Sequence, residues 1–173
     1  MPEYEMPSET ARALVAALET ASVAVCIGGG WGVDALLRRQ TRRHADLDLW
    51  VEAGDTDGLL AALVDAGVDR IHPWPGDRPW NFVLHDGVSR RIDLHLYESL
   101  GDGRLHYGSV TTPFHFAEGD LAGSGELAGM TVRCERPEFA LRNRTGYEVR
   151  DVDRHDVPLL CDQFGLELPA GYR

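Results

Sequence analysis

Positive charge is scarce in this chain. Seventeen basic side chains face 28 acidic ones, a formal net charge of −11 over 173 residues. A field of that sign repels phosphate backbones and anionic lipid, which excludes broad electrostatic attraction to nucleic acid or membrane surfaces and favours cationic small molecules. Cysteine is also rare. Cys26, Cys134 and Cys161 are odd in number and isolated, with no CxxC and no metal-ligand spacing. Cys26 and Cys161 sit in apolar surroundings and read as small buried hydrophobes. No apolar run is long enough to span a bilayer, and the opening Met-Pro-Glu-Tyr-Glu has no basic region or signal core. These absences predict a reducing, cytoplasmic setting. Repeats and low-complexity tracts are lacking too, and 43% hydrophobic with 26% charged residues is an ordinary globular balance.

What is present concentrates between residues 23 and 51. A short apolar run, Val23 to Ile27, reads as a buried strand that ends at Gly28-Gly29-Gly30. Helical spacing returns from Trp31 to about Arg39. Thr41-Arg42-Arg43-His44-Ala45-Asp46-Leu47-Asp48-Leu49 then leads into a second strand, Leu47 to Val51. On a strand side chains alternate, so Asp46 and Asp48 share a face with Cα atoms about 7 Å apart. Two carboxylates so placed suit a pair of Mg²⁺ ions roughly 4 Å apart, since Mg²⁺ prefers hard oxygen ligands and completes its shell from water and phosphate. Gly28 and Gly29, at a strand-to-helix turn, offer backbone N–H groups to phosphates. Glycines also end strands for steric reasons alone.

The rest of the chain supplies scaffold and a third acid. Ser8 to Thr20 carries a helical stripe of Leu14, Val15 and Leu18, and a helix capped by Asp55 or Thr56 runs to Gly67. Pro73, Pro75, Gly76 and Pro79 form an irregular connection. Trp80 to His85 and Arg90 to Tyr97 flank Asp86-Gly87, a hairpin signal. In the second arm Ile92, Leu94 and Leu96 share one face, and Asp93, His95 and Tyr97 the other. Asp93 is the candidate general base or third metal ligand; an exposed acid paired to Arg91 is its structural alternative. Gly101 to Gly129 holds seven glycines and reads as loop. A last strand, Met130 to Cys134, and helices from Pro137 and from Asp151 or Asp153 close the chain.

Arg42 is a candidate phosphate ligand through its planar fork. His44 is expected to orient Asp46 or its loop, His95 and His155 to be structural, Asp34 to cap or salt-bridge locally, and Trp31 to anchor the core under the glycines.

Gly28-Gly29 with Gly30-Trp31-Gly32-Val33-Asp34-Ala35-Leu36, then Arg42 to Leu49, resembles the small antibiotic nucleotidyltransferases of the polymerase-β-like superfamily. Arg91-Ile92-Asp93-Leu94-His95 matches the strand of the third acid. Arg144-Thr145-Gly146-Tyr147-Glu148 through His155-Asp156-Val157 is similar to a segment of the lincosamide branch. The resemblance runs from about residue 23 to 168 and is weakest across 54–80 and 101–128.

It implies an α/β chain of the α+β type: a polymerase-β-like nucleotidyltransferase core over 1–100, with a mixed twisted sheet flanked by helices, and a C-terminal β/helical extension over 101–173 for substrate binding or dimerisation. It implies two Mg²⁺ ions held by Asp46, Asp48 and Asp93. Gly28, Gly29, Arg42 and Arg150 would hold nucleotide, and AMP would pass from ATP or another NTP to an antibiotic hydroxyl. A lincosamide is the first expected acceptor and the 2″ hydroxyl of an aminoglycoside the second. Homodimers occur among such relatives. An antitoxin-like module and a silent nucleotide-binding protein are the readings of another class; the segment Thr145-Gly146-Tyr147-Glu148 and the usually shorter chains of such modules argue against the first, and the set Asp46, Asp48 and Asp93 against the second, since binding alone does not require three convergent acids.

Overall fold

The computed structural model describes residues 4–72 and 74–173. The expectations for Met1 to Glu3 and for Pro73 lie outside the described residues.

The apolar run ahead of the glycines forms β1 (Val25–Ile27), buried along its length. Its neighbour β2 (Leu47–Glu52) turns Leu47, Leu49 and Val51 into the core, with Trp50 buried on the opposite face. The second hairpin arm, β5 (Arg91–Ser99), buries Ile92, Leu94 and Leu96 on the core face in the same way. Each such aliphatic side chain contributes roughly 1.5–3 kcal/mol by leaving water. Three helices cover this face. They are α1 (Ser8–Thr20), with Leu14, Val15 and Leu18 inward; α2 (Gly29–Leu37), around Trp31 and Val33; and α3 (Thr56–Asp65), through Leu59 and Leu63.

Seven strands run β3-β4-β5-β2-β1-β9-β8, where β3 is Arg70–Ile71, β4 Asn81–His85, β8 Gly123–Leu127 and β9 Met130–Cys134. β2 and β5 are parallel, as are β1 and β9; the other pairs are antiparallel. The sheet is therefore mixed, as expected. β6 (Arg104–Gly108) and β7 (Pro113–Ala117) form a hairpin that extends the far end of β5.

The stretch 101–129, expected as loop, thus contains three strands. Its glycines mark turns instead: Gly101, Gly103, Gly108 and Gly129 all take positive φ. The extension is also continuous with the core, because β9 pairs with β1 at the centre of the sheet.

A second apolar cluster lies on the other face. Trp50, Tyr97, Leu105, Phe116, Leu121 and Phe139 form it, and Phe139 comes from α4 (Pro137–Arg142). The last helix, α5 (Asp151–Phe164), ends on Gly165 in the left-handed region, and Asp153 caps its start by accepting from the Arg150 amide at 3.2 Å. Cys26, Cys134 and Cys161 are free and buried, and burial pushes the Cys134 thiol up to about 12. No helix of the described residues is long and apolar enough to cross a membrane.

Candidate active site

Parallel pairing of β2 with β5 decides which side chains meet. The register sets Asp48 opposite Asp93 and Trp50 opposite His95, while Leu47, Leu49 and Val51 face the aliphatics of β5 on the core side. Extended one residue back, the same register brings Asp46 beside Arg91, whose Nε lies 3.9 Å from the Asp46 carboxylate. Asp46, Asp48 and Asp93 consequently share the face away from the aliphatic core.

Burial and mutual repulsion raise the proton affinity of two of these three carboxylates. Burial, then the neighbouring Asp48 carboxylate, pushes Asp46 up to about 7. Burial also raises Asp93, against the opposing charge of His95. Asp48 behaves differently: burial would raise it, but the hydrogen bond and charge of His95, with Arg144 and Arg150, hold it below the usual carboxylate range. Asn81 donates to Asp93 Oδ1 at 2.6 Å and fixes that carboxylate from β4.

His95 was expected to be structural, yet it sits inside the acid cluster. Its Nε2 lies 3.5 Å from Asp48 and 3.8 Å from Asp93. Burial lowers its proton affinity, and the two aspartates more than offset this, so it is held above its ordinary value. Its Nδ1 is 3.1 Å from the Tyr107 hydroxyl, and its ring stacks on Trp50 at 4.8 Å. Strand alternation already put it on the face of Asp93, which was the signal that could have found it.

The glycine turn closes one side. Gly28 precedes the first turn of α2, and its amide bonds Asp48 O at 3.0 Å. The amides of Gly29, Gly30 and Trp31 lie before the first intrahelical bond and so remain as donors at the positive end of the helix. Gly29 has φ +55° and lies so close to Asp48 that a Cβ there would overlap the carboxylate. Arg144 donates to Gly29 O at 2.7 Å and to Ala140 O at 2.7 Å, pinning the turn to α4.

Arg42 does not line this cleft. It forks onto Asp156 of α5 with two bonds of 2.8 Å, and Asp156 is 1% exposed. His44 pairs with Asp34 at 2.6 Å rather than with Asp46, and Asp34 also takes the Thr41 hydroxyl and amide. His155 reaches the Thr41 hydroxyl at 3.1 Å. Trp31 is 2% exposed and packs on the His44 ring at 4.3 Å. Arg91 pairs with Asp46, not with Asp93. Arg150 does line the cleft, paired with Asp153 at 2.8 Å and lying over the Tyr147 ring. The sequence has no lysine, so phosphate contacts fall to arginine and backbone. Arg144, which the sequence reading left without a role, is the second arginine on the cleft wall.

The cleft has a volume of about 530 Å³. Gly29, Asp48, Asp93 and His95 line one side and Arg144 and Arg150 another, and Tyr107, Phe114 and Tyr147 add aromatic surface. Among the described residues, Asp48, Asp93 and His95 offer ligand atoms within 4.8 Å of one another. Asp48 and Asp93, brought side by side, suit a hard divalent cation; Asp46, expected as a ligand with them, is on the same face but outside this group of three.

The chain is similar to antibiotic-modifying proteins along most of its length. A 2''-aminoglycoside nucleotidyltransferase of Escherichia coli is 42% identical across 89% of this chain and 85% of its own. A lincosamide resistance protein of Staphylococcus haemolyticus is 24% identical across 80% and 84%. Among solved structures, a lincosamide antibiotic adenylyltransferase with lincomycin bound shares the fold at a TM-score of 0.76 and 23% identity, over 90% of this chain and 97% of its own. ANT(2")-Ia in complex with adenylyl-2"-tobramycin has a TM-score of 0.71 at 25% identity, over 91% and 89%. The family model described as aminoglycoside-2''-adenylyltransferase matches residues 11–160. The chain belongs to that family and is a nucleotidyltransferase of the antibiotic-modifying type.

Proposed function

We propose that this enzyme transfers AMP from ATP to a hydroxyl of a cationic amino-sugar antibiotic, with Asp93 as general base. The observation that carries this reading is the in-register pair Asp48 and Asp93, with the amides of the glycine turn against Asp48. Asp46, Asp48 and Asp93 would hold Mg²⁺, whose charge, when bound, neutralises phosphate and lowers the pKa of a bound hydroxyl. The amides of Gly29 and Gly30 bind the triphosphate, and Arg144 and Arg150 on the cleft wall set positive charge beside it while they hold the glycine turn and Asp153. Asp93, fixed by Asn81 and raised by burial, accepts the proton of the acceptor hydroxyl as its oxygen bonds to the α-phosphorus and pyrophosphate leaves.

The acceptor first expected was a lincosamide. The 42% identical aminoglycoside relative and the acidic cleft favour an aminoglycoside instead. The exposed ring of Phe114 beside Tyr107 and Tyr147 favours lincosamide as a second reading, because such a wall suits an alkylated sugar. Incubating the protein with ATP, Mg²⁺ and an equimolar mixture of tobramycin and lincomycin tests both. The expected result is a mass gain of one AMP on tobramycin. A gain on lincomycin alone selects the second reading, and no gain on either refutes both.

A further inference from the structure

Glu135 stands where the chain leaves β9 for α4 and is 2% exposed. Its amide bonds Ile27 O at 3.1 Å, which carries the side chain beneath the glycine turn; a Cβ on Gly28 would sit 3.0 Å from its Oε1. That Oε1 accepts from Trp50 Nε1 at 2.7 Å and from Asn143 Nδ2 at 3.2 Å. Oε2 has no partner, although the residue lines the cleft. A buried carboxylate oxygen without a donor is costly and marks a place that something else fills. The nearby Arg144 gives its terminal nitrogens to Ala140 O and Gly29 O, and its Nε, like Oε2, is buried without a partner.

We infer that Glu135 is a specificity-determining residue whose Oε2 receives an N–H of a protonated amine on the acceptor. A phosphate cannot fill this place, because it is an anionic acceptor facing another. A hydroxyl supplies the donor but no charge. An ammonium supplies both, and burial holds this carboxyl above its ordinary value although the charges of Arg144 and His95 act against the rise. The inference rests on the proposed amino-sugar acceptor and names the group that selects it.

Glu135→Gln separates this role from a purely structural one. Gln Oε1 still accepts from Trp50 and Asn143, and its amide NH₂ turns a donor toward the place of the amine. The KM for tobramycin is expected to rise tenfold to a hundredfold, the loss of one charge-assisted hydrogen bond, while the Kd for ATP moves less than twofold. An unchanged tobramycin KM overturns the inference. So does a joint rise in tobramycin KM and ATP Kd, which would make Glu135 a brace or an adenine contact. Should the variant not melt cooperatively, a structure of the wild-type protein with tobramycin decides. An amine nitrogen within hydrogen-bond distance of Oε2 supports the inference, and a water there overturns it. Wild-type protein that adenylylates neither drug refutes the functional reading itself; wild-type turnover with an insensitive Glu135→Gln removes only this inference.

Discussion

As the proposed base, Asp93 carries two demands at once. It must hold negative charge beside Asp48 and still take a proton, and its burial and the Asn81 hydrogen bond pull in opposite directions to allow both. Asp93→Asn keeps the Asn81 contact through its carbonyl oxygen and removes the proton acceptor. Steady-state kinetics should show kcat reduced by about 10²–10⁴, the range of general-base losses, with ATP Kd changed only a few-fold. A wild-type kcat would dismiss the base assignment. Strand alternation put Asp46 and Asp48 on one face and singled out Asp93 on its own strand; that the three form one set came from the resemblance to the antibiotic nucleotidyltransferases. Arg42 was misjudged for a reason local sequence cannot supply. Its partner Asp156 is 114 positions away in the chain, and the pair lies outside the lining of the cleft.

Among the elements, the β4–β5 hairpin aligns Asn81 with His95 and so delivers the hydrogen bond to Asp93. Its turn depends on Asp86, whose Oδ1 accepts from the amides of Val88, Ser89 and Arg90 while Oδ2 pairs with the Arg90 guanidinium at 2.8 Å. Burial would raise this carboxyl, but those donors hold it down at about 2. A folded-state value below the unfolded one stabilises above pH about 4, and the gain is lost as pH falls toward 2. Asp86→Asn should therefore cost about 1–2 kcal/mol at neutral pH and flatten the fall in Tm between pH 4 and 2, read by thermal melts across that range. An equal fall in Tm in both proteins would refute this.

Strands were legible here wherever apolar residues alternated beside a turn signal. They were missed across 101–129, where β6, β7 and β8 are short, glycines close several of the turns between them, and Gly123 and Gly125 lie inside β8 itself. The parallel register of β2 with β5 was equally hidden. It is made by a crossover through α3, β3 and β4, and no local pattern specifies which residue of a distant strand lies opposite. Glu135 gave no signal for the same reason, since only the pairing of β9 with β1 carries it under the glycine turn.

For the molecule as a whole, an excess of acid over base surrounds an acidic cleft. Such a field steers a polycation inward and weakens with salt, because the Debye length shortens from about 10 Å at 0.1 M to about 3 Å at 1 M. Between 0.05 and 0.5 M KCl, kcat/KM for tobramycin should fall at least several-fold, and that for lincomycin, with its single amine, much less. Equal salt dependence for the two would remove the electrostatic argument for the acceptor. The most direct measurement of the central claim is Mn²⁺ binding, as a spectroscopic substitute for Mg²⁺, in the presence of a non-hydrolysable ATP analogue, for the wild-type protein and for Asp48→Asn with Asp93→Asn. If the face shared by β2 and β5 is the metal centre, the wild-type protein binds the ion and the double variant, still folded by its melting curve, loses it at least tenfold. Equal binding by the two proteins would contradict the account.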